Sequence, residues 1–201
     1  MPDVSVIVPV KNGASYVKRC VTCLKAQTLK HVEFLIIDDA STDGTPEQLL
    51  REIAGDDRFK VIRQAAQAGP LSARMRGVSE ASAPVVMFMD FDDTLVPDAC
   101  RTVAETMERE NINVFCYAME VVGTERCDVH ALEKCRSYLS RRSSQQGRVQ
   151  GAEDCFTLFF SNTGITASTC DKAVRTDVLR SVYSKIGDGA GLLCEIGRAH
   201  V

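Results

Sequence analysis

The chain has 201 residues, 45% hydrophobic and 25% charged, with a formal net charge of -3, a composition ordinary for a soluble globular protein. A chain of this length suits one domain and can bury roughly 70% of its unfolded surface, so no disulfide or metal staple is required. The acidic balance gives no electrostatic footprint for nucleic acid and points to a small-molecule partner.

Met1-Pro2-Asp3 carries no charged n-region ahead of the first apolar run, and no stretch reaches the ~18 apolar residues of a membrane span. Val4 to Val8 is a β-branched run ending at Pro9; Asn12-Gly13 breaks it before a helical pattern of Val17, Cys20, Val21 and Leu24. Cys20 and Cys23 form a C-x-x-C, but inside a helix and without a second pair at zinc spacing they read as packing residues. The nine cysteines are scattered and odd in number, which fits reduced thiols in a cytoplasm. Val32 to Ile37 gives a second strand that ends in Asp38-Asp39-Ala40-Ser41-Thr42-Asp43-Gly44, after which Thr45-Pro46-Glu47 opens a helix with a cap and an N1 proline. Phe59 to Arg63 is a short third strand, followed by Gly69-Pro70-Leu71 and a helix from about Ser72 to Glu80 bearing Arg74 and Arg76. Val85 to Met89 is the fourth, a fully apolar run bounded by Pro84 and the turn Asp90-Phe91-Asp92-Asp93, with a helix over 98–110 beyond.

Strands alternating with helices predict an α/β, doubly wound, mostly parallel sheet with helices on both faces, all its polar loops along one edge, where such sheets bind ligands. Asp90 and Asp92 lie two apart and share a side if the strand continues, a pairing suited to a hard divalent cation. The plain alternative is an acidic turn with Asp93 capping the next helix; for Asp38 and Asp39 it is helix and turn capping, and for Arg74 a surface helix arginine in a salt bridge. Val114 to Val122 is expected to continue the sheet. From Gly123 to Gly151 the periodicity fades into a loop or hairpin around Arg141-Arg142, a solvated face or a lid. A helix from about Ala152 to Phe160, an irregular piece around Cys170-Asp171-Lys172 and a helix near Thr176 to Tyr183 follow.

Ser5-Val6-Ile7-Val8-Pro9-Val10-Lys11-Asn12, Ile36-Ile37-Asp38-Asp39-Ala40-Ser41-Thr42-Asp43-Gly44, Gly69-Pro70-Leu71-Ser72-Ala73-Arg74 and Asp90-Phe91-Asp92-Asp93, in this order and spacing, closely resemble the family 2 glycosyltransferases of GT-A, Rossmann-like fold. The likeness covers residues 3 to 122 well; later, Asp171-Lys172-Ala173-Val174-Arg175 is similar to the family's Asn-Lys-hydrophobic-Arg segment. The resemblance implies inverting, metal-assisted transfer of a sugar, of hexosyl or N-acetylhexosaminyl type, from a nucleotide-diphosphate donor, UDP-sugar favoured, to a hydroxyl of a sugar, lipid-linked or protein acceptor in polysaccharide assembly. It implies a D-x-D motif in which Asp92 and Asp93 hold Mn²⁺ or Mg²⁺ beside Asp90, base contact by Asp39, an arginine near the diphosphate at Arg74, and a donor site completed by Pro9, Asn12, Asp38 and Phe91. The chemistry agrees, because a cation and an arginine fork both neutralise a departing diphosphate. It also implies a cytoplasmic protein, with peripheral attachment to the inner face of the cell membrane compatible with it.

Two positions depart from the family. Lys11 stands where most members carry an aromatic residue able to stack on the base, and Met75 stands where they carry asparagine.

The nucleotide-binding part is expected over 3–122 and an acceptor-side part over 123–194. The general base of an inverting transfer is expected beyond Cys194. There Glu195-Ile196-Gly197-Arg198-Ala199-His200-Val201 resembles the translation of a sequencing adapter, so 195–201 is expected to be a non-native tail on a catalytic domain incomplete at its C-terminus; neither Glu195 nor His200 is assigned a role.

Two rival readings remain. Phe88 to Val96 also resembles the first motif of haloacid-dehalogenase-type phosphatases, with Asp90 as nucleophile and Lys185-Ile186-Gly187-Asp188-Gly189 as a later motif, though the expected second aspartate is missing. The third reading is a non-catalytic nucleotide-binding module.

Overall fold

The computed structural model describes residues 1–120, 133 and 170–186, with the side chains of 185 and 186 left out. The elements run β1 (Val4–Val10), α1 (Val17–Lys25), β2 (Val32–Asp38), α2 (Thr45–Glu52), β3 (Phe59–Arg63), α3 (Gly69–Glu80), β4 (Val85–Phe88), α4 (Ala99–Glu110), β5 (Val114–Cys116), β6 (Lys172–Arg175) and α5 (Thr176–Ile186). The strands form one sheet in the order β3-β2-β1-β4-β6-β5. Pairings β1 to β2, β1 to β4 and β2 to β3 are parallel, and β4 to β6 is antiparallel. The chain divides into two compact units: residues 1–115 with 173–186 make the first, and the second takes in Cys116–Lys172.

Parallel strands joined by helical crossovers are covered on both faces, which is why β1 and β2 carry side chains buried on successive rather than alternate positions. Val4, Val6, Ile7 and Val8 on β1 and Phe34 to Ile37 on β2 are fully enclosed. Helix α1 buries Val17, Cys20, Val21 and Leu24, the four residues that its periodicity predicts, so the C-x-x-C is a packing feature. Burial pushes both the Cys20 and the Cys23 thiols up. Helix α3 lies so close to β1 that a Cβ on Gly77 would sit 2.4 Å from Ile7 Cγ2; only glycine permits that approach.

Polar groups fix the amino end of the sheet. Glu33 Oε1 accepts hydrogen bonds from Ser5 Oγ, Ser82 N and Ser82 Oγ at 2.5, 2.6 and 2.9 Å, so one carboxylate on β2 ties β1 to the entry of β4. Gln27, buried, donates to Val96 O and accepts from Cys100 N, joining the end of α1 to the start of α4.

Several boundaries differ from the expectation. Thr45 is already helical, so the cap position falls on Gly44 and Pro46 comes second. Helix α3 starts at Gly69, three residues before Ser72; Gly69 itself takes φ +88°, a turn into the helix open to glycine without strain. Asp93 does not cap α4, which begins at Ala99. The strand at Val114 stops at Cys116, and residues 117–120 are not strand. The piece at Lys172, read as irregular, is β6, which inserts between β4 and β5. The expectations for 121–132, for 134–169 including Arg141 and Arg142, and for 187–201 including the tail and the general base lie outside the described residues.

Candidate functional site

The loops after β1, β2, β3 and β4 leave from the carboxyl ends of parallel strands, where an open α/β sheet places its ligands. The first two are interlocked. Asn12 takes φ 51°; its N–H donates to Ser41 Oγ at 2.9 Å and its Oδ1 accepts from Thr42 N at 2.9 Å. Gly13 N donates to Thr45 Oγ1 at 2.9 Å and Ala14 N to Asp43 Oδ2 at 3.2 Å. The Asp43 carboxyl is held below its usual range, first by the Thr45 hydroxyl. Backbone N–H groups ahead of α1, which in many nucleotide-binding loops cradle phosphate, are thus filled by the protein's own hydroxyls and carboxylate.

Asp38 and Asp39 are both buried, at 1% and 4% exposure. Asp38 Oδ1 accepts from Ser41 N at 3.0 Å. Its Oδ2 has no hydrogen bond and faces Arg63 Nε at 3.6 Å, while Arg63 Nη2 donates to Ser41 O. Asp39 Oδ1 accepts from Gln64 Nε2 at 2.8 Å and Ala68 N at 2.7 Å, and Oδ2 from Gly69 N at 2.9 Å. Asp39 therefore sits as the anion at the amino end of α3, satisfying N–H groups with no partner inside the helix. The helix- and turn-capping alternative describes its present contacts, which fill three of the roughly four acceptor positions of a carboxylate and leave one on Oδ2.

Helix α3 delivers Arg74 to the turn after β4. Its Nη2 donates to Asp90 Oδ1 at 2.6 Å; the arginine side chain is 17% exposed and the aspartate 46%. A charge-assisted contact of this kind joins the two residues expected near the diphosphate. Asp92 is exposed and Asp93 half-buried. The Asp93 carboxyl is pushed up by burial and then by the charges of Asp90 and Asp92, with Arg19 acting in the opposite sense. Phe91 was expected among the donor contacts, but its side chain is buried, 2.7 Å (ring Cδ1) from where a Gly13 Cβ would lie. It wedges the fourth loop against the first, leaving the turn's three carboxylates to present polar chemistry. Pro9 lies in β1 opposite Ile37, half-buried, and Lys11 is exposed.

Among the described residues no three His, Cys, Asp or Glu side chains are grouped to hold a metal by themselves. The Asp92–Asp93 turn instead fits a cation of the Mg²⁺ type, which takes one or two carboxylates and completes its shell with water and phosphate oxygens.

The sequence reading overlooked Ser41, Asp43 and Thr45 as loop fasteners, and Arg63 and Gln64 as partners of the two buried aspartates. Arg63 had one signal, a charged residue closing an apolar strand at the ligand edge; the others look like ordinary turn residues until the loops are paired.

Known proteins resemble this chain in sequence and in fold. The chain is 36% identical over 124 residues to the EpsH protein of Bacillus subtilis (strain 168), an alignment covering 61% of this chain and 36% of that one. It is 31% identical over 116 residues to the GalNAc(5)-diNAcBac-PP-undecaprenol beta-1,3-glucosyltransferase of Campylobacter jejuni, covering 57% and 38%. The chain thus spans little more than a third of the length of these relatives. Among solved structures, S. aureus TarS 1-349 in complex with UDP-GlcNAc superposes with a TM-score of 0.69 at 22% identity over 90% of this chain and 47% of that one, a likeness that shows the GT-A fold. The model of the family described as glycosyl transferase family 2 matches residues 5–169, more than half of the chain, and displaces the phosphatase reading of Asp90: the protein belongs to glycosyl transferase family 2.

Proposed function

We propose that this chain carries the donor site of a glycosyltransferase that moves a sugar from a nucleoside-diphosphate donor, a UDP-sugar by preference, to an acceptor hydroxyl with inversion. The observation that carries the reading is the meeting of Arg74, Asp90 and the Asp92–Asp93 turn at the carboxyl edge of the sheet. As the glycosidic bond breaks, charge grows on the diphosphate, and fixed cationic groups aimed at that point lower the barrier. Arg74, gripped by Asp90, supplies one such group. Asp92 and Asp93 would hold Mn²⁺ or Mg²⁺, which supplies Lewis-acid stabilisation of the leaving diphosphate when bound. Asp38, Asp39 and Asn12 shape the base and ribose side of the edge through the loops they fasten.

The Campylobacter relative is named for a polyprenol-linked acceptor and TarS is solved with UDP-GlcNAc; these names favour a UDP-sugar donor and a lipid-linked or polysaccharide acceptor here. Among the described residues no helix is long and apolar enough to cross a membrane. The proposed location is the cytoplasm, a placing with which attachment at the inner face of the cell membrane is compatible. Calorimetry with UDP, with and without Mn²⁺, tests the assignment: affinity should require the metal, and Asp92→Ala should abolish the metal-dependent part. Equal affinity in that variant and in the wild type would remove the metal role from Asp92.

A further inference from the structure

We propose that Tyr183, on α5, is a positioning residue for Arg74, so that the segment returning from the second half of the chain sets the geometry of the diphosphate site. The inference rests on the donor-site reading above and names a residue that reading does not use.

The argument is one of register between two helices. Thr176, the first residue of α5, donates through its backbone to Pro84 O at 2.9 Å and through its hydroxyl to Ala83 O at 2.7 Å. One turn on, Arg180 Nη2 donates to Ala81 O at 2.7 Å, and its Nε and Nη2 each reach Val78 O at 3.4 Å. As α5 advances, its partners recede along the chain toward the start of α3, so the two helices run antiparallel. At 3.6 residues per turn, the next turn of α5 falls at Tyr183 and the preceding turn of α3 at Arg74. Tyr183 is half-buried, and its phenol feels Arg74: burial pushes it up while the arginine's charge pulls it down. The far end of the same return is fixed by β6, whose Ala173, Val174 and Arg175 pair with Met87, Val86 and Val85 of β4. The β6–α5 unit thus touches both elements that carry the site, β4 below the Asp90 turn and α3 below Arg74. Arg74, held at one end by Asp90, still gives up rotamer freedom on gripping a phosphate; a ring on the facing turn of α5 would narrow that freedom beforehand.

The first test needs no nucleotide. The tyrosine absorbance titration of the folded protein, taken as wild type minus Tyr183→Phe, isolates the Tyr183 phenol; repeated in an Arg74→Gln background, its midpoint should move to higher pH. An unmoved midpoint would overturn the placement. The second test is UDP affinity with Mn²⁺ by calorimetry. Tyr183→Phe, which keeps the ring, should bind within about twofold of wild type, and Tyr183→Ala should bind roughly three- to tenfold more weakly, the cost of ordering one long side chain at binding. In the Arg74→Gln background Tyr183→Ala should cost nothing further; the same loss there, as a general weakening of the fold would give, defeats the proposal. If the wild type does not bind UDP at all, the donor-site reading falls and the titration alone decides the role of Tyr183.

Discussion

Asp39→Ala is the perturbation whose size the structure sets most directly. Asp39 is buried and accepts from Gln64 Nε2, Ala68 N and Gly69 N. Removing a side-chain cap costs about 1 kcal/mol, losing an anion beside a helix amino end adds about 0.3–1 kcal/mol, and a hydrogen bond to a charged group is worth about 1.5–3 kcal/mol. Because Ala68 is exposed and Gly69 half-buried, water replaces part of what is lost, and the net expectation is about 2–3 kcal/mol. For a chain of this size that lowers Tm by roughly 4–12 °C. Urea unfolding should show a lower midpoint with an unchanged slope, and Asp39→Asn, which keeps an acceptor but loses the charge, should fall between. UDP affinity should drop in both variants, since α3 carries Arg74. An alanine variant that melts within a degree of wild type would refute the reasoning and return Asp39 to a role for the ligand alone.

Gly77→Ala should destabilise the protein by about 1–3 kcal/mol, the usual cost of overpacking, because the added Cβ would meet Ile7 Cγ2 at 2.4 Å; a double-mutant cycle with Ile7→Ala should show strong coupling, and strict additivity would show that the helix simply shifts. Asp93 gives a pH signature. Its folded pKa is raised, so the folded state binds the proton more tightly than the unfolded state, and stability is lost as pH rises from the unfolded to the folded value. Asp93→Asn should therefore raise Tm at neutral pH, and the gain should vanish below the carboxylate range, where the group is protonated in both states. A gain that persists in acid would mean that the charge is not its source.

The elements whose signal is local were legible. Helix α1 buries the residues its periodicity selects, and the runs of β1, β2 and β4 read as covered strands because parallel pairing leaves no polar face. Strand β6 was not legible: Lys172-Ala173-Val174-Arg175 has charged ends and only two apolar residues, and its strand character comes from pairing with Val85 to Met87, some ninety positions earlier. The same distance hid the site's internal bonds. A carboxylate at a strand end looks alike in sequence whether it faces solvent, as Asp92 does, or closes on a distant loop, as Asp39 does. Phe91 illustrates the converse. Its neighbours in the motif made it look functional, whereas Gly13 across the edge makes the space that its ring fills.

The fastening of the first two loops has a consequence for how such a protein can change. Asn12, Gly13 and Ala14 each depend on a side chain between Ser41 and Thr45, and Thr42 in turn depends on Asn12. Neither segment can be exchanged for that of a relative by itself, because the incoming backbone would find the wrong acceptors, and a buried N–H without one costs about 1–3 kcal/mol. A chimera carrying a foreign segment over 11–16 alone should fold poorly, while one carrying 11–16 and 40–45 together should fold. The two stretches are separated in the sequence but are inherited, in effect, as one part.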